Sequence, residues 1–279
     1  MKPTNRTWLI TGCDKGMGYE IAQMALNQGD NVAVTVLNSN GHSPLTELFP
    51  DTCRSYHLNV TEHEAAAETI RRAEADFSGI DVLVNNAGYG LVGAAEETSP
   101  DEYRRLFDVN FFGLVECTRA ALPGMRKRRK GHIINFSSLV GFIGFSGMAM
   151  YSASKFAVEG FSESLAKEVA HLGIHVTLIE PGGFRSDFAG GSLATSSLLI
   201  SDYEASAGLT RNAMKSRHGT QPGDPARLAL ALFEISRLES PPLRLPLGPD
   251  AWQQVSDKAG AVAAEVQRWK DISFSTSFQ

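Results

Sequence analysis

Short apolar runs rich in β-branched residues recur along the chain, and stretches with helical spacing separate most of them. The runs lie at 8–10, 32–36, 56–60, 80–84, 132–136, 175–179 and 243–247. Helical spacing is read at 19–26, 62–77, 99–122, from 151 onward, at 225–238 and at 255–269. This alternation leaves few solutions. Strands joined through helices run parallel, and such strands need cover on both faces. The expectation is an α/β chain: a doubly wound parallel sheet of about seven strands with helices on both faces. Pro246 withholds an N–H from the ladder, so the seventh strand belongs at an edge. No linker and no repeat interrupts the pattern, and residues 1–279 are read as a single domain.

The first run ends in Thr11-Gly12-Cys13-Asp14-Lys15-Gly16-Met17-Gly18, and a helix follows at once. Glycines at that junction let the backbone approach a ligand, and the helix start offers free N–H groups and a positive dipole end. This layout holds a pyrophosphate. Net charge is −5, which speaks against a general nucleic-acid or anionic-membrane surface. The densest basic run, 126–130, stands just before Gly131 and is read as a solvated helix cap. Cys13, Cys53 and Cys117 are isolated, so neither a disulfide frame nor a metal site is expected, and a reducing, cytoplasmic location is. His63, His132 and His171 lack metal-ligand spacing and are read as surface residues. No signal peptide is read at the N-terminus, and no apolar run is long enough to span a bilayer.

Tyr151 and Lys155 are four residues apart in a helical stretch, so both side chains share one face. A cation beside a phenol favours the phenolate, and a tyrosine so placed exchanges a proton nearer neutral pH than it does alone. Ser138 stands thirteen positions before Tyr151, at the end of the fifth run. Asn110 interrupts the helix that Ser99 and Pro100 begin, where asparagine is a poor helix former.

Taken in order, Thr11-Gly12-x-x-x-Gly16-x-Gly18, Asn85-Asn86-Ala87-Gly88, Asn110, Ser138, Tyr151-x-x-x-Lys155 and Pro181-Gly182 resemble the short-chain dehydrogenase/reductase family over nearly the whole chain. Residues 180–188 further look like a bacterial branch labelled 17β-hydroxysteroid- or retinol-dehydrogenase-like. The resemblance implies a Rossmann-type fold and an NAD(P)-dependent oxidoreductase that interconverts an alcohol and a ketone or aldehyde. It implies Tyr151 as general acid/base, Lys155 lowering its pKa and holding the nicotinamide ribose, Ser138 aiming the carbonyl (with Ser137 as the competing choice), and Asn110 holding a water behind Lys155. It places Gly12, Gly16, Met17 and Gly18 at the pyrophosphate. Leu37, Asn38, Asn59, Val60, Asn86, Ala87 and Gly88 fall on the adenosine side, and Pro181 and Gly182 at the nicotinamide. The dinucleotide-binding half then spans roughly 1–130 and the catalytic half 131–279. A catalytically silent dinucleotide-binding regulatory protein is the alternative.

Two further expectations concern specificity. Val36, Leu37, Asn38 and Ser39 offer no carboxylate to repel a 2′-phosphate, and Lys15 sits inside the phosphate loop, so NADP(H) is favoured over NAD(H). Residues 184–223 mix Phe184, Phe188, Leu193, Leu198, Leu199, Ile200 and Tyr203 with Ser and Gly directly after Pro181-Gly182. They are read as a mobile cover over a small hydrophobic alcohol or carbonyl substrate. As in the family, a homo-dimer or homo-tetramer is expected.

Overall fold

The computed structural model describes residues 5–38, 40–186, 191–216 and 219–278. Ser39, Asp187 and Phe188, which the sequence singles out, lie outside the described residues. In chain order the elements are β1 (Thr7–Ile10), α1 (Gly16–Asn27), β2 (Asn31–Val36), α2 (Leu45–Leu48), β3 (Cys53–His57), α3 (His63–Phe77), β4 (Val82–Asn85), β5 (Gly90–Val92), α4 (Pro100–Phe107), α5 (Gly113–Arg128), β6 (Gly131–Phe136), α6 (Ala149–Val169), β7 (Ile174–Pro181), β8 (Leu193–Thr195), α7 (Leu209–Ser216), α8 (Pro225–Ser236), β9 (Arg244–Leu247), α9 (Pro249–Arg268) and α10 (Lys270–Phe274). Seven strands form one parallel sheet in the order β3-β2-β1-β4-β6-β7-β9, which is a Rossmann-type α/β fold. β9 is an edge strand, as Pro246 requires.

Strand periodicity divides the interior. Trp8 and Ile10 face one side of the sheet with α1 and α8, where they meet Ile21, Leu26, Leu228 and Leu232. Leu9 faces the other, with α3, α5 and α6, against Ile70, Cys117, Met125 and Leu165. Full burial of each such side chain stabilises by about 1.5–3 kcal/mol, which is why the central strands read as unbroken apolar runs. The Trp8 indole N–H, buried with its ring, donates to Asp30 at 2.8 Å. α4 begins with a capping box between Ser99 and Glu102, and Pro100 takes its first position.

The structure corrects several boundaries. β3 ends at His57 rather than reaching residue 60. The Leu58 amide still donates to Val36, but Asn59 then bonds the Thr61 amide and hydroxyl and turns the chain. The helix from Pro100 runs on to Arg128 but carries a π turn at residues 108–112, with Asn110 in it, between α4 and α5. The basic run is more than a solvated cap. Arg128 bonds Glu74 at 3.2 Å and the Ile80 carbonyl at 2.6 Å, and Lys130 pairs with Asp81 at 3.0 Å. His132 is not on the surface. It is 4% exposed in β6, bonds the Thr177 hydroxyl at 2.9 Å, and is held neutral down to a pKa of about 3 by burial. His171 is exposed, and the His63 side chain lies outside the described residues. The last helix starts at Pro249, and the C-terminal stretch carries a further turn, α10. Among the described residues no helix is long and apolar enough to cross a membrane.

Candidate active site

The carboxyl ends of the strands open into one cleft of about 1120 Å³. Its floor on one side is the β1–α1 loop. Gly12 and Gly16 adopt φ of +71° and +65°, which side chains resist. Gly18 is needed for space: a Cβ there would stand 2.3 Å from the Gly12 carbonyl and 2.5 Å from the Asn86 amide nitrogen. That amide fastens the loop, donating to the Thr11 and Gly12 carbonyls at 2.9 and 3.0 Å. The Thr11 hydroxyl accepts from the Asn86 and Ala87 amides at 3.0 Å each, a contact the sequence reading missed. Gly12, Lys15, Gly16, Met17, Leu37, Asn38, Asn59, Val60, Asn86, Ala87 and Gly88 all line the cleft. Gly18 does not, and acts from within the loop.

At the end of β2 the structure corrects the charge argument. The four residues there carry no carboxylate, yet one is present, delivered from the glycine loop. Asp14 accepts from the Leu37 amide at 3.0 and 3.1 Å and from the Asn38 amide at 3.3 Å, and it lines the cleft beside Lys15. The signal was in the sequence as an acid inside the loop, but its reach across 23 positions depends on β1 and β2 being neighbours.

Deeper in the cleft lie Ser138, Tyr151, Lys155, Pro181 and Gly182. Tyr151 is 5% exposed, and its hydroxyl is hydrogen-bonded to that of Ser138. Burial pushes the phenol up to about 12 against the opposing effect of Ser138. Lys155 is not a cause of that shift. Its ammonium donates to the Phe136 carbonyl at 2.8 Å, and burial pulls it down to about 8 while Glu159 pulls it up. Ser137 is buried and does line the cleft, but the phenol bonds Ser138.

Asn110 stands behind the cleft wall. Its amide nitrogen donates to the Tyr89 carbonyl at 2.9 Å and to Ser154 at 3.2 Å, and its oxygen accepts from the Tyr89 amide at 2.9 Å. A Cβ on the neighbouring Gly88 would come within 3.0 Å of that oxygen and 3.6 Å of the Lys155 nitrogen. The π turn thus carries a side chain that ties the residue after Gly88 to α6. Behind Lys155, Arg244 pairs with Glu159, with Glu163 at 3.0 Å and with Glu180 at 3.2 Å. Burial raises Glu159 to about 7.

The opposite wall is apolar: Leu91, Leu139, Val140, Met148, Leu193 and Met214. Two of these come from the segment after Gly182, which is strand, turn and helix in its described part. β8 pairs in parallel with β5. Glu97, 1% exposed, accepts from the Ile200 amide at 2.9 Å, from the Ala94 amide at 2.8 Å and from the Arg211 guanidinium at 2.7 Å. Arg211 reaches Glu204 at 3.0 Å, and Glu102 accepts from the Ser197 amide at 2.9 Å. Sequence reasoning had no signal for this latch, whose partners lie 95–114 positions apart. Among the described residues no group of three or more His, Cys, Asp and Glu is placed to hold a metal ion.

A family model described as short chain dehydrogenase matches residues 6–196. Oxidoreductase BOA17 of Botryotinia fuckeliana is 34% identical over 98% of this chain and 99% of its own length. A short-chain dehydrogenase crystal structure from Streptomyces avermitilis superposes with a TM-score of 0.92 at 39% identity, covering 99% of this chain and 100% of that one. The closed form of a serine dehydrogenase complexed with NADP+ superposes with a TM-score of 0.75 at 28% identity, covering 87% and 94%.

Proposed function

The chain belongs to the short-chain dehydrogenase family, an oxidoreductase family acting on CH–OH groups, and from that premise we propose that it interconverts an alcohol and a ketone or aldehyde on a hydrophobic small molecule, with Tyr151 as general acid/base. The observation that carries this is the buried Tyr151 hydroxyl, bonded to Ser138 at the bottom of a cleft whose far wall is apolar. A silent binding protein has no use for that pair.

The cleft fits a dinucleotide. Gly18 lets the loop at α1's N-terminus fold onto itself, since a Cβ there would strike the Gly12 carbonyl, Gly12 and Gly16 are left lining the cleft, and a Cβ on Gly88 would crowd Asn110 and Lys155. Gly12, Gly16 and Met17 would hold the pyrophosphate, Leu37, Asn38, Asn59 and Val60 the adenosine, and Lys155, Pro181 and Gly182 the nicotinamide end. A bound nicotinamide supplies or takes up the hydride. The remaining work falls to side chains. Ser138 and Tyr151 direct two hydroxyls at one substrate oxygen, which fixes its aim. Tyr151, with a pKa of about 12, keeps its proton until negative charge develops on that oxygen. Lys155, at about 8, is mostly cationic at neutral pH and sits one turn away to favour the phenolate left behind. Asn110 holds the Tyr89 backbone, and with it the Gly88 wall, in place. Residues 184–223 act as the substrate cover.

Cofactor choice rests on two opposed charges. Lys15 favours the 2′-phosphate of NADP(H), and the similar serine dehydrogenase structure is complexed with NADP+. Asp14 stands beside it, engages the amides a phosphate would use, and reduces the preference to a modest one. The test is a panel of aliphatic and aromatic ketones and aldehydes with NADPH and NADH, read by nicotinamide absorbance. Turnover by wild type and its loss in Tyr151→Phe are expected. Dinucleotide binding without turnover of any member would sink the reading.

A further inference from the structure

The C-terminal arm has an apolar seam that the body does not cover. From Ser256 to Phe278 every residue is exposed. Along α9 and its end, Trp252, Val255, Ala259, Val262, Val266 and Trp269 follow one another at spacings of three and four. This is the heptad pattern of a coiled-coil seam, and it runs without a break. Trp252 is 60% exposed, Val262 42%, Val266 67% and Trp269 49%. A row of this kind on a helix standing off its domain marks an interaction face.

We propose that the occupant is a second copy of this chain, with the two α9 arms packed antiparallel. Charge complementarity supports this. In an antiparallel pair with Ala259 opposite Val262 of the partner subunit, Trp252 meets the partner's Trp269 and Val255 meets the partner's Val266. In the same register Lys258 flanks the seam within reach of the partner's Glu265, and the symmetry gives that pair twice. Ser256 and Ala263 face each other on the opposite flank, where small side chains let the helices approach. The parallel arrangement fails on size. α9 is about 30 Å long, a body of this size is on the order of 40 Å across, and paired helix axes lie roughly 8–10 Å apart. Both bodies would then compete for one end of the pair. The antiparallel pair sets them at opposite ends. A membrane surface fits less well, because 256–278 carries three acidic and three basic residues and so no cationic bias.

The experiment is sedimentation equilibrium of the full chain. Wild type associates, and Val262→Glu halves the mass of the assembly while leaving dinucleotide affinity unchanged. Lys258→Glu and Glu265→Lys each raise the dissociation constant several-fold, and the two together restore it. Under mild oxidation, chains carrying Ala259→Cys cross-link to chains carrying Val262→Cys, and neither cross-links with itself; Cys13, Cys53 and Cys117 are buried and do not compete. A Val262→Glu variant that sediments as wild type overturns the proposal. So does a wild type that is monomeric, a cross-link formed by Ala259→Cys chains alone, or arm-dependent pelleting with phosphatidylcholine vesicles.

Discussion

The two walls of the cleft are built from different materials. The wall proposed for the dinucleotide is made of backbone: two glycines at positive φ, a third with no room for a Cβ, and carbonyls held by one asparagine amide. The wall proposed for the substrate is made of apolar side chains held by charge, with Glu97 and Arg211 buried beside it. Backbone cradles tolerate almost no substitution at a few positions and are indifferent elsewhere. A side-chain latch keeps its geometry while the residues facing the cleft vary. One wall is thereby suited to a constant ligand and the other to a changing one.

The sharpest way to test the division is at its seam. Tyr151→Phe should lower turnover on the order of 10²–10⁴-fold, the range of general acid/base catalysis. The dissociation constant of the dinucleotide should stay within about twofold, since the ring remains. Residual turnover above a tenth of wild type would remove the hydroxyl from the chemistry.

Next in size is the latch. Arg211→Met leaves Glu97 buried without its cation, a loss of roughly 3–5 kcal/mol in comparable pairs. The cost should appear locally, as faster proteolysis within 191–216 and a higher KM for the carbonyl, at unchanged dinucleotide affinity. If affinity for both ligands falls together, the two walls are not independent.

Acid separates the regions by a few kcal/mol. His132 in the sheet is held at about 3, below its ordinary 6.5, so the unfolded chain takes up a proton that the folded one refuses. Stability is therefore lost as pH falls from 6.5 toward 3. Burial alone would raise Glu97, but the Ile200 and Ala94 amides and Arg211 outweigh it and hold it at about 2, below 4.5. The latch should then fail only as pH falls from 4.5 toward 2. Denaturant unfolding at pH 7 and pH 5 should show a weakened protein, and His132→Gln should flatten the difference. Equal slopes in the two proteins would exclude His132 as the cause.

Smaller still is Gly18→Ala. Fitting a methyl against the Gly12 carbonyl shifts the loop at a cost of about 1–3 kcal/mol. Dinucleotide affinity should drop about tenfold or more, while KM for the carbonyl at saturating dinucleotide barely moves. The smallest effect belongs to Asp14→Ala. Removing the carboxylate should raise selectivity for NADPH over NADH several-fold, about 1 kcal/mol, and added salt should reduce the gain. Asp14→Ala proteins with unchanged selectivity would leave Lys15 unopposed.

The same contrast explains what could be read in the sequence. The glycine loop and the Tyr151–Lys155 pair are local: spacing on one turn or one helix carries the geometry. The alternation of strand and helix gave the sheet, its edge strand included. The position of Asp14 was hidden because its meaning arises between two adjacent strands, and the latch because it joins segments about a hundred positions apart. Ser-rich spacing at 191–208 carries no period, so tertiary pairing with β5 decides its structure. His132 misled because a lone polar residue in a strand looks the same whether it faces solvent or Thr177.

Pro246 has a consequence beyond its place in the sheet. The Leu243 carbonyl accepts from Leu178 in β7 and the Leu247 carbonyl from Gly182 just beyond it, so in the alternating strand Arg244 and Pro246 turn their backbones outward. The residue that lacks an N–H thus falls on the margin away from β7, where another chain's strand would seek a donor. An incoming strand finds an incomplete ladder there. Crowding at high concentration therefore gains little from this margin, because a strand arriving there meets no donor at Pro246.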